Sequence, residues 1–275
     1  MEIVKRHMKL SVVLSTHAAQ FEAVAFRGDF DANVARIAGY GYDGVELAIR
    51  DPRLVDIDQL ERTIINHGLK VPAIGTGQAW GEEGLSFTDP DQRIRHAAIE
   101  RIESHIPAAS RFSAVIIIGL IRGVVRPGVD PAQAMDWLIA ALKEICAAAR
   151  VQGVRLALEP INRYETSLIN TVSQGLELLE GVGADNLGLL LDTFHMNIEE
   201  ADIGASILAC GKHIFHFHVA DSNRWYPGAG HLDFKSILSV LSSTGYSGYV
   251  SGEFIPQPDA ETAAKQAINY LDKIF

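Results

Sequence analysis

No stretch of this 275-residue chain approaches the ~18 consecutive apolar residues of a membrane-spanning helix, so no membrane partner is expected. Cysteine is nearly absent. Cys146 and Cys210 are the only two, each in an apolar segment of helical period. Two isolated cysteines make neither a disulfide framework nor a CxxC metal site. They read as small buried hydrophobes of a reducing, cytoplasmic compartment. Positive charge is scarce: 24 Lys and Arg stand against 34 Asp and Glu, a net charge of −10. Gripping a phosphate backbone needs clustered positive charge, so no nucleic-acid partner is expected either. A dinucleotide-type phosphate turn is also missing. Its nearest candidate, Gly75-Thr76-Gly77, falls in a long loop (76–88) and is not expected to open a helix. The N-terminus carries a charge cluster and then a short apolar run ending in Ser15-Thr16-His17. Without a small-residue cleavage site it reads as a first strand and not a signal peptide.

What is present is a large apolar fraction, 48% of residues, arranged periodically. Short runs rich in Val, Ile and Leu occupy 10–15, 44–49, 71–75, 114–119, 154–159, 187–192, 213–219 and 249–253. Continuous apolar runs of this length suit strands buried on both faces, as in a parallel sheet. Between them lie amphipathic segments near 31–40, 57–67, 90–110, 130–151, 171–183, 200–211, 234–244 and 259–274. Asp31 precedes the first helix, and Asp130-Pro131 opens the fourth with proline at the first helical position. Gly41, Gly68, Gly153 and Gly245 close helices. Eight strands and eight helices in strict alternation predict an α/β fold, a single (β/α)8 TIM barrel over residues 1–275. Met8 offers a second start, leaving 1–7 as an optional extension.

Active residues of such a barrel sit where strands end and βα loops begin. The last four strands each supply a metal-capable residue: LALE ends in Glu159, LLLD in Asp192, HFHVAD contains His218 and VSGE ends in Glu253. Each follows the last by about one β/α unit, so four adjacent strands aim these side chains at one point. A carboxylate at the end of a buried strand is costly without a partner, and three together call for a cation. Three carboxylates and one imidazole favour one divalent ion, Mn²⁺ first, with Mg²⁺ or Co²⁺ as alternatives, over structural zinc.

The segments Glu159-Pro-Ile-Asn-Arg-Tyr-Glu165, Leu191-Asp-Thr-Phe-His-Met-Asn-Ile-Glu-Glu200 and His216-Phe-His-Val-Ala-Asp-Ser-Asn-Arg224 resemble the D-tagatose/D-psicose 3-epimerase family of xylose-isomerase-like TIM barrels. The resemblance covers nearly the whole chain. Arg50-Asp-Pro, Ala73-Ile-Gly-Thr-Gly-Gln-Ala, Ile117-Ile-Gly-Leu-Ile-Arg-Gly123 and Ala220-Asp-Ser-Asn-Arg-Trp225 look closer still to the 5-keto-L-gluconate epimerase branch. This resemblance implies an isomerase, a carbohydrate epimerase in which Glu159, Asp192, His218 and Glu253 bind the metal. It also implies that Glu159 and Glu253 are the acid/base pair and that Glu165, His195 and Arg224 contact substrate. After strand 7 the chain departs from the ketohexose enzymes with Trp225-Tyr-Pro-Gly-Ala-Gly-His231. The favoured substrate is therefore a keto-sugar acid of the 5-keto-L-gluconate or D-tagaturonate type, with a ketohexose as the alternative.

The chemistry fits. A hydrogen on the carbon beside a ketone is too weakly acidic for a free carboxylate, and a divalent ion stabilises the enediolate formed when it leaves. Inverting that carbon needs a base on one face and an acid on the other. Strands 5 and 8 lie three apart in an eight-stranded ring, so their terminal glutamates can flank a sugar. Arg122, after strand 4, could meet a sugar-acid carboxylate, with Trp225 and His231 also near the substrate. Glu46, read as ending strand 2, could hold a metal-ligand histidine or a substrate, and His216 would lie one layer below His218. Gln78, Trp80 and Phe87 lie in a loop long enough for a lid. Hydroxypyruvate isomerase-like and inosose dehydratase-like enzymes use similar ligands, a non-catalytic sugar-binding protein is the rival from another class, and a homo-oligomer is compatible with all of these.

Overall fold

The computed structural model describes residues 8–17 and 21–274; the optional extension 1–7 lies outside them. Eight strands form one closed parallel barrel in chain order: β1 (Lys9–Ser15), β2 (Gly44–Ala48), β3 (Ala73–Gly75), β4 (Val115–Ile118), β5 (Leu156–Leu158), β6 (Leu187–Asp192), β7 (Ile214–Val219) and β8 (Tyr249–Gly252). The ring closes where Lys9 pairs with Tyr249 and Val12 with Gly252. The helices are α1 (Phe30–Gly39), α2 (Ile57–Asn66), α3 (Gln78–Glu83), α4 (Gln92–Phe112), α5 (Pro131–Val151), α6 (Val172–Val182), α7 (Thr193–Glu199), α8 (Ile203–Cys210), α9 (Phe234–Ser243) and α10 (Ala260–Leu271).

Strand alternation sorts the side chains into two cores. Leu10, Val12, Leu14, Val45, Leu47, Phe217 and Val219 pack outward with the helices. Ala73, Val115, Ile117, Ala157 and Leu190 fill the barrel interior. Near the top of the barrel the inward positions turn polar: Glu46 on β2, Asp192 on β6, and His216 and His218 on β7 are all buried.

Side-chain caps set most helix starts. Asp130 caps α5 with Pro131 at the first turn, and Thr171 and Gln174 form a reciprocal capping box at α6. At the far end of α5, Gly153 takes the left-handed φ of 67° that a side chain disfavours. The first cap differs from expectation. Asp29 accepts from Ala32 N, and Asp31 sits inside the first turn.

Two helices were not anticipated. The loop after β3 holds α3, whose N-cap is Gly77, so the Gly75-Thr76-Gly77 turn does open a helix, though one of only six residues. The loop is packed down. Phe87 is fully buried, Arg50 pairs with Glu82 at 2.6 Å and Arg101 with Glu83 at 2.8 Å. After β6, α7 begins immediately because Asp192 itself caps it by accepting from Phe194 N. No helix among the described residues is long and apolar enough to cross a membrane.

Candidate active site

The top of the barrel opens into a cavity of about 270 Å³. Its polar wall includes Glu159, Glu165, His195, Arg224 and Glu253, and its apolar wall is formed by residues such as Phe21, Val24, Trp80 and Ile117. The four side chains singled out at the ends of the last four strands come together: Glu159 and Glu253 line the cavity, and Asp192 and His218 lie beside them. One ligating atom from each of Glu159, Asp192, His218 and Glu253 falls within 4.8 Å of all the others. Gly119 makes room for this group, since a Cβ there would stand 3.2 Å from Glu159 Oε2.

Three of these atoms are buried and lack a hydrogen-bond partner: Glu159 Oε1, Asp192 Oδ2 and His218 Nδ1. They face one another. His218 Nδ1 is 4.0 Å from both Glu159 Oε1 and Asp192 Oδ2 and 3.7 Å from Glu253 Oε2. Buried polar atoms are normally satisfied. Three orphans converging with a fourth carboxylate form the oxygen-rich donor set of a hard or borderline divalent cation. The residues therefore fit a metal ion.

Asp192, His218 and Glu253 are each held by a hydrogen-bond partner. Asp192 Oδ1 accepts from Phe194 N at 2.8 Å, leaving Oδ2 for the cavity. His218 Nε2 lies 3.0 Å from both oxygens of Glu46, and His216 Nε2 is 2.7 Å from Glu46 Oε2. Glu46 thus lies mid-strand, not at a strand end as expected, and holds the two histidines of β7. Arg224 donates to Glu165 Oε1 at 3.1 Å and to Glu253 Oε2 at 3.2 Å. Its guanidinium stacks over the rings of Phe194 and Phe21, 4.7 and 5.4 Å from their centroids. The Arg224 backbone is left-handed, φ 60°, in a loop gathered around Asp221, which accepts from the N–H groups of Ser222, Gly228 and Leu232.

The electrostatics follow from burial. Loss of water pushes the Glu159 carboxyl well above the usual carboxylate range, and the charge of Glu253 pushes it further. Burial raises Glu253 to about 7 even though His218 and Arg224 oppose the shift. Asp192 is raised for the same first reason. Burial alone would lower His218, but the carboxylates of Glu46 and Glu253 reverse this and raise it to about 10. His195 is depressed well below its ordinary value, first by burial and then by Arg224.

Three residues expected at the substrate are elsewhere. Arg122 is fully buried in a short 3-10 turn after β4. It donates to the carbonyls of Glu159 and of Ile169, the latter at 3.2 Å, which leaves it behind the cavity wall. Trp225 is 40% exposed and His231 is exposed. Both sit on the outer part of the loop after β7, and none of the three lines the cavity. Asn162 was missed. It is buried and bridges Glu165 and His195 through its amide nitrogen, 2.8 Å from each.

Comparison with known proteins agrees with the barrel fold. Residues 34–274 match the family model described as a xylose isomerase-like TIM barrel. An L-ribulose 3-epimerase of Mesorhizobium japonicum is 31% identical over 242 residues, covering 87% of this chain and 80% of that protein. A D-psicose 3-epimerase of Ruminiclostridium cellulolyticum is 30% identical, covering 82% of this chain and 78% of its own length. A solved L-ribulose 3-epimerase structure superposes with a TM-score of 0.85 at 28% identity, covering 97% of this chain and 94% of that one.

Proposed function

The chain belongs to the xylose isomerase-like TIM barrels, among the ketose 3-epimerases, and from that premise we propose that it inverts the carbon beside the carbonyl of a neutral ketose. The enzyme is a keto-sugar epimerase; the neutral substrate, the metal dependence and the residue roles are the proposal. The observation that carries it is the placement of two carboxyls, Glu159 and Glu253, in one small cavity beside Asp192 and His218.

Two carboxyls brought into one cavity from β5 and β8 can supply the base and the acid that a two-base epimerisation asks for. The ionised member takes the proton from the carbon. Its partner, reaching in from the other side of the barrel, returns a proton to the opposite face. Glu159, Asp192, His218 and Glu253 would hold the divalent ion, Mn²⁺ by preference. When bound, that ion supplies a positive charge that stabilises the oxygen of the carbonyl as the neighbouring proton leaves. Arg224 keeps Glu253 in position and offers donors to substrate oxygens. His195 directs Nε2 inward, 3.6 Å from Glu159 Oε1, where it can donate to the sugar. Glu165 stands at the cavity edge as an acceptor for a hydroxyl.

A keto-sugar acid such as 5-keto-L-gluconate is the second reading, favoured by the sequence segments around Arg122 and Trp225. A bound carboxylate needs a free cation. Among the described lining residues Arg224 is the only Lys or Arg, and its single positive charge already faces the carboxylates of Glu165 and Glu253. That supports the neutral sugar. A panel of L-ribulose, D-psicose and 5-keto-L-gluconate with Mn²⁺, followed by NMR of the products, decides between them. Turnover of the sugar acid alone would refute the neutral-ketose reading.

A further inference from the structure

His195 offers a cavity-facing nitrogen, but an imidazole can donate from it only if its ring proton is there. The surroundings decide this. Asn162 is buried in the loop between β5 and α6, and its amide has a fixed orientation. Its Oδ1 accepts from Tyr164 N at 3.0 Å. Its Nδ2 therefore faces the other side, 2.8 Å from Glu165 Oε1 and 2.8 Å from His195 Nδ1. The reverse orientation would set an amide oxygen against the Glu165 carboxylate oxygen and an NH₂ against the Tyr164 backbone N–H, losing both of those bonds and keeping at most the one to His195. An amide nitrogen has two hydrogens, and both are used. Nδ1 of His195 must then be the acceptor.

We propose that Asn162 is a positioning residue that fixes the ring proton of His195 on Nε2, so that Nε2–H is the donor presented to a substrate oxygen. Because the same amide group grips Glu165, which in turn accepts from Arg224, one side chain sets the direction of hydrogen bonding around this half of the cavity. Asn162 touches no reacting atom. It acts through the tautomer of His195 and the placement of Glu165. The role of the Nε2–H donor rests on the epimerase reading, whereas the location of the proton does not.

The test is long-range ¹H–¹⁵N correlation of the histidine rings in the ¹⁵N-histidine-labelled full chain loaded with diamagnetic Mg²⁺, with His195 assigned from H195Q. Wild type should show the Nε2–H pattern. Asn162→Ala should lose it or mix it with the other tautomer, and Asn162→Asp, which offers only acceptors there, should reverse it. On a ketose, kcat of Asn162→Ala should fall about 10- to 100-fold, the usual cost of removing a supporting hydrogen bond at such a site, with Mg²⁺ affinity unchanged. A wild-type ring protonated on Nδ1 overturns the proposal whether or not the variants fold. So does an Asn162→Ala enzyme with unchanged tautomer and kcat. Lack of turnover on every ketose alongside the Nε2–H pattern would instead sink the epimerase reading and leave the proton assignment standing.

Discussion

His218 directs Nε2 to Glu46, 3.0 Å from each carboxylate oxygen, and so has only Nδ1 left for the cavity. The buried Glu46 carboxylate would be raised by burial alone. His218 and His216 instead hold it well below the usual range, so it stays charged. A charged acceptor behind a ligating imidazole fixes the ring and increases its basicity.

Glu46→Gln removes that charge without removing bulk. Mn²⁺ affinity should fall about 10- to 100-fold by titration calorimetry, and turnover should recover partly at saturating Mn²⁺. An unchanged dissociation constant would show that Glu46 only fills space.

Glu159→Gln and Glu253→Gln each leave one carboxyl to do work that needs two. Turnover should drop about a hundred- to ten-thousand-fold, the range contributed by a positioned acid or base, with the circular dichroism spectrum unchanged. Near-native kcat in either variant would rule out the two-base scheme.

Arg122 supports the wall that carries Glu159. Arg122→Ala leaves the carbonyls of Glu159 and Ile169 without their donor and opens a cavity in a fully buried site. The expected loss is about 3 kcal/mol, read as a lower urea midpoint. A change under about 0.5 kcal/mol, the scale of ordinary surface substitutions, would mean that water replaces those bonds.

Cys146 and Cys210 should be inert in the folded protein. Burial pushes their thiols up to about 11 and about 12 from 9.0, so almost no thiolate exists at neutral pH. Their contribution to stability is complete below pH 9 and is lost as pH rises through 11 to 12, because unfolded thiols ionise first. A thiol-reactive dye at pH 8 should label the denatured chain and not the native one.

Much of this was legible in the sequence, for identifiable reasons. Strands buried on both faces leave continuous apolar runs, which fixes the number and order of the barrel strands. The four donors were legible because each ends or nearly ends such a run. The helix α3 was not: Gly77, Gly81 and Gly84 argue against it locally, and ion pairs from Arg50 and Arg101, distant in sequence, support it. Side-chain direction was likewise hidden. Arg122, Trp225 and His231 follow strand ends as Arg224 does. Only the tertiary path sends Arg122 behind the wall, the other two to the surface and Arg224 into the cavity. Asn162 looked like an ordinary loop residue because one of its partners, His195, lies on the next βα unit.

The most direct test of the epimerase is turnover of a neutral ketose with Mn²⁺ in D₂O, followed by NMR. The two-base account predicts that the epimer appears with solvent deuterium on the inverted carbon and that this carbon's proton signal is lost in step with turnover. An epimer that retains its original hydrogen would contradict proton exchange with Glu159 and Glu253, and a ketose that binds without exchange or inversion would make the protein a sugar-binding barrel instead.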